Sequence, residues 1–501
     1  MLTLILFGML IPMSQIQPVE PIEAESRTWI VDDDGQADFS RIQDAINAAS
    51  SGDTIFVHDG TYYEHLTIGK SISLVGENRA TSIIDGSRTG TVISVFADFV
   101  NISRLTIRNG YQIPHITYGI QIGKWEHGCQ NVTVYDNILS ANDIGIFVYY
   151  SNNITILNNL LSSNFIGIQT TLSSDNRIER NNLVNNEEGI GVGSGANNNV
   201  IIDNDISICG FGIHVGWSMG NVIAGNTISL STSAGIRFDA SNNNSIIGNT
   251  ITLSSREGIV LFGSDNNAVM ENEVAQNGWD GIAVWYSEGN QIYHNNFRIN
   301  TRQAGSYAES TNAWDNGFPS GGNYWSDYTM RYPSAQELDD SGIWDTPYVL
   351  DGNNQDNYSL MEPWTPLEPI PASIDIDTDI LNPRRKGKWI TVYIQLPEGY
   401  NPSDIHASTI LLNGTVPPVL DPRYGFVTNS TEYLVDHNND IILERMVKFD
   451  RATLESWIYQ NIGMQNEISL TVTGELTDGT LFDGTDTIYV LWQGHKSPSK
   501  L

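Results

Sequence analysis

Short alternating runs of apolar and polar residues fill the middle of this 501-residue chain and return at a nearly fixed interval. Each run opens with a Gly-Ile pair, and in most of them another apolar residue stands two positions after the isoleucine. The glycines follow one another at steps of 26, 22, 22, 23, 23, 23 and 23 residues: Gly119, Gly145, Gly167, Gly189, Gly212, Gly235, Gly258 and Gly281. A period in the low twenties without a helical pattern is typical of a solenoid whose chain turns once per repeat.

Asparagines follow the same period. Each unit holds two of them five residues apart, except one early unit, which has Asn131 and Asp136. The pairs are Asn153/Asn158, Asn176/Asn181, Asn199/Asn204, Asn221/Asn226, Asn244/Asn249, Asn267/Asn272 and Asn290/Asn295. Because asparagine tolerates left-handed backbone geometry and stacked asparagines can hydrogen-bond from coil to coil, we interpret all of them as structural ladders. Stacked apolar positions then form one continuous core, which predicts an all-β parallel β-helix, a single-stranded solenoid.

A helical cap is predicted before the first coil. The segment Ser40-Arg-Ile-Gln43 has the form of a capping box, and Gly52 provides a stop signal. The apolar residues between these points share one helical face: Ile42, Ala45, Ile46 and Ala49. A short helix here would cover the exposed strand edges at the open end of the coil.

The repeat fades after Phe297, and the remaining sequence predicts further segments. Alternating strands at Ile374–Ile376, Trp389–Leu396, Ile468–Val472 and Thr487–Leu491, with a helix at Arg451–Tyr459, indicate a β-sandwich. The predicted organisation is a signal-peptide-like segment at 1–24, a capped β-helix at 28–300, a closing segment at 301–362, a Pro-rich linker at 363–371, a sandwich module at 372–492 and a tail at 493–501.

The formal net charge of −33 argues against nucleic acid or an anionic membrane as a partner. The only two cysteines, Cys129 and Cys209, lie several coils apart and do not suggest a disulfide framework. Leu2–Ile11 is apolar but too short to span a bilayer, and Ile22-Glu-Ala24 offers a cleavage point. We therefore expect a secreted or cell-surface monomer, associated with a membrane only through this segment if it is not cleaved.

Specific motifs resemble a known family. Trp29-Ile-Val-Asp-Asp-Asp-Gly35, Ile42-Gln-Asp-Ala-Ile-Asn47 and Gly60-Thr-Tyr-Tyr-Glu64 resemble the NosD-type family, exported right-handed β-helix proteins also called carbohydrate-binding and sugar-hydrolysis domains. Gly322-Asn-Tyr-Trp-Ser-Asp-Tyr328 and Asn354-Gln-Asp-Asn-Tyr358 resemble the segment that closes that helix. The C-terminal module resembles sandwich modules of prokaryotic surface proteins. The resemblance implies a right-handed fold and an extracellular setting, but no particular reaction.

Two acidic loops have the spacing of oxygen donors that Ca²⁺ prefers. The first comprises Glu337, Asp339, Ser341, the carbonyl of Ile343, and Asp345. The second comprises Asp436, Asn438, Asp440 and Glu444, with the carbonyl of Ile442. Both resemble degraded forms of D-x-D-x-D-G-x-x-D loops. We expect Ca²⁺ as the one candidate cofactor, with an acidic solvated loop as the alternative.

Candidate chemistry within the repeat lies at positions that break its pattern. Glu257 and Asp280 precede turn glycines in consecutive coils, so that they, with Asp239, are the candidates for carboxylate catalysis on a glycoside. Candidate sugar-binding residues share their registers: His214, Trp217, Arg237, Trp285 and Tyr286. The resemblance also brings copper into question, because the family includes a maturation factor for a copper enzyme. The scattered histidines and methionines give no evident copper site.

Three functions remain open at this point. The first is an exported β-helix that binds a polysaccharide or glycan through the solenoid surface. The second is a polysaccharide-active enzyme, namely a lyase, hydrolase or epimerase. The third is a structural component of the cell envelope without a ligand.

Overall fold

The computed structural model describes residues 26–111, 116–366, 369–377, 379–383, 387–421, 423, 433–461, 466–477 and 479–491. The predicted signal-like segment lies outside the described residues. Contacts divide the chain into two compact units, Met1–Trp364 and Thr365–Leu501. The first unit is built from three parallel sheets, and each turn of the chain contributes a strand to each sheet in succession. The prediction of a right-handed parallel β-helix is confirmed.

The strands of the three sheets are short and pair in register with the next coil. The first sheet contains Thr28–Val31, Thr54–Val57, Ser73–Gly76, Asn101–Ser103, Thr133–Tyr135, Thr155–Leu157, Arg177–Glu179, Val200–Ile202, Val222–Ala224, Ser245–Ile247, Ala268–Met270, Glu288–Tyr293 and Thr311–Ala313. The second contains Gly60–Tyr62, Ser82–Asp85, Thr106–Arg108, Ile138–Ser140, Leu160–Ser162, Asn182–Val184, Asp205–Ser207, Thr227–Ser229, Thr250–Thr252, Glu273–Ala275, Asn296–Arg298 and Tyr324–Trp325. The third contains Leu66–Ile68, Ile93–Val95, Tyr118–Ile122, Ile144–Tyr149, Ile166–Thr171, Glu188–Val192, Phe211–Gly216, Ile236–Asp239, Ile259–Phe262, Asp280–Trp285 and Arg302–Tyr307.

The repeated glycine stands where the chain enters the third sheet. A Cβ added to Gly212 would lie 2.5 Å from the carbonyl oxygen of Gly235 in the next coil and 2.5 Å from Cγ2 of Ile228. Gly145 and Gly189 meet the following coil's glycine carbonyl at 2.6 and 2.4 Å in the same way. Because these distances are too short for any side chain, the glycine ladder records a close approach of backbones at one corner of the solenoid.

Buried asparagines form two long ladders inside the coil. In one, Asn226 donates its backbone and side-chain N–H groups to Oδ1 of Asn249, both at 2.9 Å, and Oδ1 of Asn226 accepts from Asn204. The members of this ladder are Asn137, Asn159, Asn181, Asn204, Asn226, Asn249, Asn272, Asn295 and Asn323. The second ladder contains Asn176, Asn199, Asn221, Asn244, Asn267, Asn290, Asn312 and Asn354. The ladder prediction is therefore confirmed for most pairs.

The earliest asparagine pairs are an exception. Asn153 and Asn158, like Asn131 and Asp136, have positive φ angles of 55 to 56° and stand one residue before the ladder positions. In that coil the ladder is continued by Asn159, while the backbone N–H of Ile154 donates to Oδ1 of Asn176. Interpreting Asn153 and Asn158 as ladder members was wrong, because asparagine is suited both to the buried rung and to the left-handed residue beside it.

The N-terminal cap is a helix at Ile42–Ala48, but the capping-box prediction is wrong. The residue before the helix is Arg41, and it makes no side-chain cap hydrogen bond. Instead, the carboxylate of Glu64 accepts hydrogen bonds from the backbone N–H groups of Ile42 and Gln43 at 2.8 and 3.1 Å. A carboxylate at the start of a helix satisfies free N–H groups and favours the helix dipole. The cap and the first coil are thus joined by a buried acid.

The closing segment terminates both ladders. Asn354 accepts from Asn312 at 3.0 Å, and the carboxylate of Asp356 accepts from the backbone N–H of Asn323 at 2.8 Å and from the indole of Trp325 at 2.7 Å. Burial raises the pKa of Asp356 to about 7, although these hydrogen bonds oppose the shift. A short helix, Tyr328–Arg331, and a two-stranded ribbon, Tyr348–Val349 with Gln355–Asp356, complete this segment. Its function is to supply the last acceptors of the ladders.

The second unit contains two sheets that share one apolar core. One sheet comprises Ser373–Ile376, Trp389–Gln395, Glu444–Asp450 and Leu434–Val435. The other comprises Ile370–Pro371, Leu481–Val490, Glu467–Glu475, Leu411–Leu412 and Ile380–Leu381. The helices are Arg451–Asn461 and the 3-10 turns Pro402–Asp404 and Ala407–Thr409. The predicted sandwich and its helix are confirmed. Across the described parts of both units, no helix combines the length and apolar character needed to cross a membrane.

Candidate functional site

The outer face of the third sheet carries the exceptions to the repeat. In the strand Phe211–Gly216, Ile213 and Val215 are fully buried, so His214 and Gly216 between and after them point away from the core. Pairing places His214 beside Arg237, and Gly216 beside Asp239, in the next coil. Glu188 begins the strand on the other side. We call Glu188, His214, Arg237 and Asp239 the charged cluster.

Hydrogen bonds connect the charged cluster. Nε2 of His214 lies 2.9 Å from Oδ2 of Asp239, and its Nδ1 lies 3.7 Å from Oε1 of Glu188. Arg237 binds Asp239 with two parallel hydrogen bonds, of 2.8 and 2.7 Å. A bidentate arginine–carboxylate pair has well-defined geometry, and these groups are partly buried, which reduces their screening by water. The imidazole is consequently held between two acids, and the cluster has a fixed shape.

The contacts shift the pKa values in the cluster. Hydrogen bonds to Asp239 and then Glu188 raise the pKa of His214 to about 9, although burial opposes this. Burial disfavours the Asp239 carboxylate, but hydrogen bonds from His214 and Arg237 outweigh it and lower the pKa of Asp239 to about 2. At neutral pH, His214 is therefore a cation and Asp239 an anion.

Glycines make room for the cluster. A Cβ added to Gly191 would lie 2.3 Å from Oε1 of Glu188 and 2.4 Å from Oε1 of Gln169, so both side chains lie across this glycine. By contrast, a Cβ on Gly216 would meet no atom within 4 Å. The outer face thus has open space at Gly216, which pairs with Asp239 and precedes the exposed Trp217.

We expect the imidazole of His214 to titrate near pH 9 in the native protein, followed by NMR of labelled histidine. The stability contributed by the protonated imidazole should be fully present below the pKa of histidine in the unfolded chain, about 6.5. It should be lost as the pH rises through 9. Replacing Asp239 by asparagine should bring the pKa of His214 down toward 6.5, because the larger of its two stabilising hydrogen bonds loses its charge. A wild-type pKa near 6.5 would contradict the geometry of the cluster.

One aromatic cluster lies on the C-terminal side of the charged cluster. The rings of Trp285 and Tyr307 stack with centroids 4.0 Å apart, and the hydroxyl of Tyr307 donates to Asp280 at 2.7 Å. Arg302 binds the same carboxylate at 2.6 and 2.9 Å. Burial raises the pKa of Asp280, although Arg302 opposes the shift. The C-terminal aromatic cluster consists of Phe262, Trp285, Tyr286 and Tyr307.

A second aromatic cluster lies on the N-terminal side. Tyr118 and Phe147 stack at 4.7 Å, and Phe147 and Tyr149 at 5.4 Å. Trp125, which is 61% exposed, packs its ring 5.1 Å from that of Tyr150. The N-terminal aromatic cluster consists of Tyr118, Trp125, Phe147, Tyr149 and Tyr150. The strands of Tyr149 and Trp285 are six steps apart in the sheet, which at about 4.8 Å per step separates them by about 29 Å.

The structure brings most of the predicted site residues to this face. His214, Arg237 and Asp239 form the core of the charged cluster, Trp285 and Tyr286 belong to the C-terminal aromatic cluster, and Trp217 is an exposed residue directly after Gly216. Glu257 is half-buried at the edge of the same sheet, in the coil next to Asp280. Among the described contacts, none joins the two carboxylates, and Asp280 is bound by Arg302 and Tyr307 instead. Catalysis by Glu257, Asp280 or Asp239 stays a prediction.

Several residues of the face were missed from the sequence. Tyr149 and Phe262 each stand four residues after a repeat glycine, an outward position that they share with the predicted Trp285. Tyr307 stands four residues after Gln303, which takes the place of the repeat glycine. The Gly-Ile pattern therefore did not identify Tyr307 as an outward position. Glu188 is recognised as a member only through its contact with His214. Alignment of outward positions alone would have found Tyr149 and Phe262.

Comparison with known proteins assigns the family. A family model described as "Periplasmic copper-binding protein (NosD)" matches residues 46–227 and 215–330, more than half of the chain. The chain belongs to the NosD family. The resemblance of the motifs is thereby confirmed, and the match covers the coils that carry the charged cluster and both aromatic clusters. Curated protein sequences gave no match.

Solved structures resemble this NosD-family chain at low identity. The mannuronan C-5 epimerase A-module of Azotobacter vinelandii is 15% identical over 54% of this chain and 92% of that chain, with a TM-score of 0.46. The Dettilon tailspike protein is 15% identical over 74% of this chain and 79% of that one, also at 0.46. DFA-IIIase from Arthrobacter chlorophenolicus A6 is 11% identical over 54% and 83%, at 0.40.

For the residues of this NosD-family member that the structure describes, the expectation of no evident copper site stays a prediction. Their one group of three or more histidine, cysteine or acidic ligands with atoms within 4.8 Å is Asp32, Asp33 and Asp34, which are all carboxylates. Copper sites in proteins favour imidazole, thiolate and thioether. Cys129 and Cys209 are separate, buried free thiols, and burial raises the pKa of both, which disfavours the thiolate that binds metal.

The first predicted calcium loop is a tight turn. The carboxylate of Glu337 accepts from the backbone N–H of Gly342 at 2.8 Å, and the carbonyl of Ile343 accepts from Leu338 at 2.8 Å. Asp345 accepts from the N–H of Gln336, the hydroxyl of Ser341 donates to the carbonyl of Leu338, and Asp339 has a positive φ angle. The oxygens are thus used within the turn, and calcium binding here stays a prediction.

The second predicted loop is also held by its own hydrogen bonds. Asp436 accepts from the N–H groups of Asp440 and Ile441 at 3.0 and 3.2 Å, and Asp440 accepts from Ile442. Asn438 donates to Asp440, whereas Glu444 is buried and accepts from His437 at 2.7 Å. Calcium binding stays a prediction for this loop as well.

Proposed function

We propose that this protein binds a polysaccharide or glycan on the outer face of the third sheet, in an extracytoplasmic location. The observation that carries the proposal is the placement of two aromatic clusters on one face, with a partly buried hydrogen-bonding cluster between them. Clustered, exposed aromatic side chains on a soluble protein indicate a binding surface. Flat rings can stack on the apolar faces of sugars, while carboxylates and imidazole can bind hydroxyl groups. The family description, which names a periplasmic protein, supports the location.

The arrangement favours an extended ligand. The strand of His214 lies in the middle of the face, about three strand spacings, or about 14 Å, from the strands of Tyr149 and Trp285. A linear glycan lying along the solenoid axis would contact all three. Binding by two linked sites also gives a higher affinity than either site alone, because the second contact is intramolecular.

Replacing Trp285 by alanine should weaken glycan binding about tenfold, since losing one stacked ring costs about 1.4 kcal/mol. Tyr149→Ala should have a similar effect, and the double variant should lose about a hundredfold if one ligand contacts both clusters. The measurement is retention on a polysaccharide panel, followed by calorimetry with the best ligand. Tyr63→Ala removes an aromatic ring that is 71% exposed and lies outside the third sheet, and it serves as the control.

The same panel tests the enzymatic alternative when soluble products are also measured. Retention without products supports binding alone. Release of products that His214→Ala or Asp239→Asn abolishes would instead assign the face to a polysaccharide-active enzyme. No retention on any polysaccharide, or equal losses for Tyr63→Ala and Trp285→Ala, would reject the proposed function.

A further inference from the structure

The charges of the third sheet balance in a way that restricts the ligand. Within its strands, three side chains are cationic at neutral pH, namely His214, Arg237 and Arg302. Three are acidic: Glu188, Asp239 and Asp280. Every cation faces a carboxylate of the same protein, so the strands have no net charge.

In both arginine pairs, one edge of the guanidinium is occupied by a carboxylate of the protein. Arg237 and Arg302 each use two N–H groups on one carboxylate, Asp239 and Asp280 respectively, at 2.6 to 2.9 Å. The hydroxyl of Tyr307 adds a further hydrogen bond to Asp280. A carboxylate on a ligand would have to displace one of these acids or lie against it, and like charges placed together in an interface are unfavourable. The Nε–Nη2 edge of each guanidinium, one of the two edges that bind a carboxylate bidentately, is already occupied.

The edges of the face do not provide substitutes. Arg256 lies over the ring of Trp279, with its guanidinium carbon 5.0 Å from the ring centroid, and Lys124 lies over Phe96 at 4.6 Å. Acidic residues outnumber these two cations around the same edges: Glu126, Asp143, Glu187 and Glu257. The chain as a whole carries a formal charge of −33, which repels polyanions at a distance.

We propose that the glycan bound by this face is uncharged, and that the face discriminates against polyuronates. This inference rests on the proposed function, and it specifies the chemical class of its ligand. Sugar hydroxyls both donate and accept hydrogen bonds. They can therefore bind the outer oxygens of Glu188 and Asp239 without disturbing the ion pairs, while the aromatic clusters bind the apolar faces of the sugars.

The test compares ligands that differ in charge. The full chain is assayed for retention on neutral glucans, xylans, mannans and fructans, and on polygalacturonate, alginate and highly methyl-esterified pectin. The esterified pectin has the backbone of polygalacturonate with most of its charge removed. The assay is run at about 0.15 M salt, where the Debye length of about 8 Å screens distant repulsion, so that local contacts decide the result. We expect retention on at least one neutral polymer and at least tenfold weaker retention on both polyuronates.

A charge variant makes the inference sharper. Asp280→Asn releases Arg302 and should increase retention on polyuronates several-fold at low salt, an increase that added salt removes. Glu273→Gln is the matched control, because Glu273 pairs with Arg298 at 3.3 Å on the second sheet and its loss changes the net charge equally. Glu188→Gln, which removes the second acid beside His214, provides an independent variant should Asp280→Asn fail to fold.

The outcomes separate the two claims. Wild-type retention on polyuronates that equals or exceeds retention on neutral polymers overturns the inference and leaves the proposed glycan binding intact. An equal gain for Asp280→Asn and Glu273→Gln also overturns it, since net charge rather than the face would then decide. Absence of retention on every polymer rejects the proposed function and the inference together.

Discussion

Replacing Asn226 by leucine is expected to lower the free energy of unfolding by about 4 kcal/mol, because buried hydrogen-bonding groups lose their partner. Asn226 is fully buried, and its side chain donates to the carbonyls of Ile201 and Ala224 and to Asn249. Its Oδ1 accepts the backbone and side-chain N–H groups of Asn204 at 3.0 and 2.9 Å. Leucine has a similar volume but satisfies none of these groups. The loss is measurable by urea unfolding followed by circular dichroism.

Asn182→Leu is the matched control for this experiment. Asn182 is exposed on the outer face of the second sheet, so the same exchange there should change stability by no more than about 0.5 kcal/mol. If both variants unfold at the same urea concentration, the buried ladder contributes little and the packing of aliphatic residues alone holds the coils together.

Gly212→Ala should destabilise the protein by about 2 to 3 kcal/mol, whereas Gly216→Ala, at the other end of the same strand, should be neutral or slightly stabilising. At Gly212 the new methyl group would lie 2.5 Å from a backbone carbonyl oxygen, which cannot move without shifting the next coil. At Gly216 it would meet no atom within 4 Å. Thermal unfolding of the two variants measures the difference, which isolates the local steric cost because the chemical change is identical.

A comparable melting temperature for the two alanine variants would mean that the coils shift freely relative to one another. That result would contradict the explanation of the glycine ladder as a close approach of backbones. If Gly216→Ala stabilises the protein, folding does not require glycine at this outward position. Space for a ligand would then be the explanation for the glycine.

The sequence was sufficient to predict the coil because every unit repeats the same physical requirements. Gly212 has no room for a side chain, Ile213 must be buried, and the side chain of Asn226 must hydrogen-bond the backbone carbonyl of Ile201. Each coil has the same geometry, so the same residue types recur in each unit of the sequence. The prediction failed where one residue type suits two neighbouring places, as for Asn153. It also failed where a distant residue replaces a local one, as when Glu64 rather than Ser40 caps the first helix.

The candidate site was only partly predictable for a related reason. Asp239 and His214 could be assigned to one face by register, since the repeat fixes which positions point outward. The partners of Asp280 could not, because Tyr307 folds back across Gly305 and Arg302 comes from a coil in which the Gly-Ile pair is missing. Such contacts depend on side-chain conformations that no period encodes.

The asparagine ladders have a polarity. Each asparagine donates hydrogen bonds to the next coil toward the C-terminus and accepts them from the coil before it. The last asparagine of a ladder therefore needs an acceptor beyond the repeat. One ladder ends at Asp356, whose carboxylate accepts from the backbone N–H of Asn323, and the other at Asn354, whose side chain donates to the carboxylate of Asp351. Each ladder therefore ends at a carboxylate of the closing segment. A unit of 23 residues inserted between existing coils would extend the protein, whereas one appended beyond Asp356 would find no rung on which to continue.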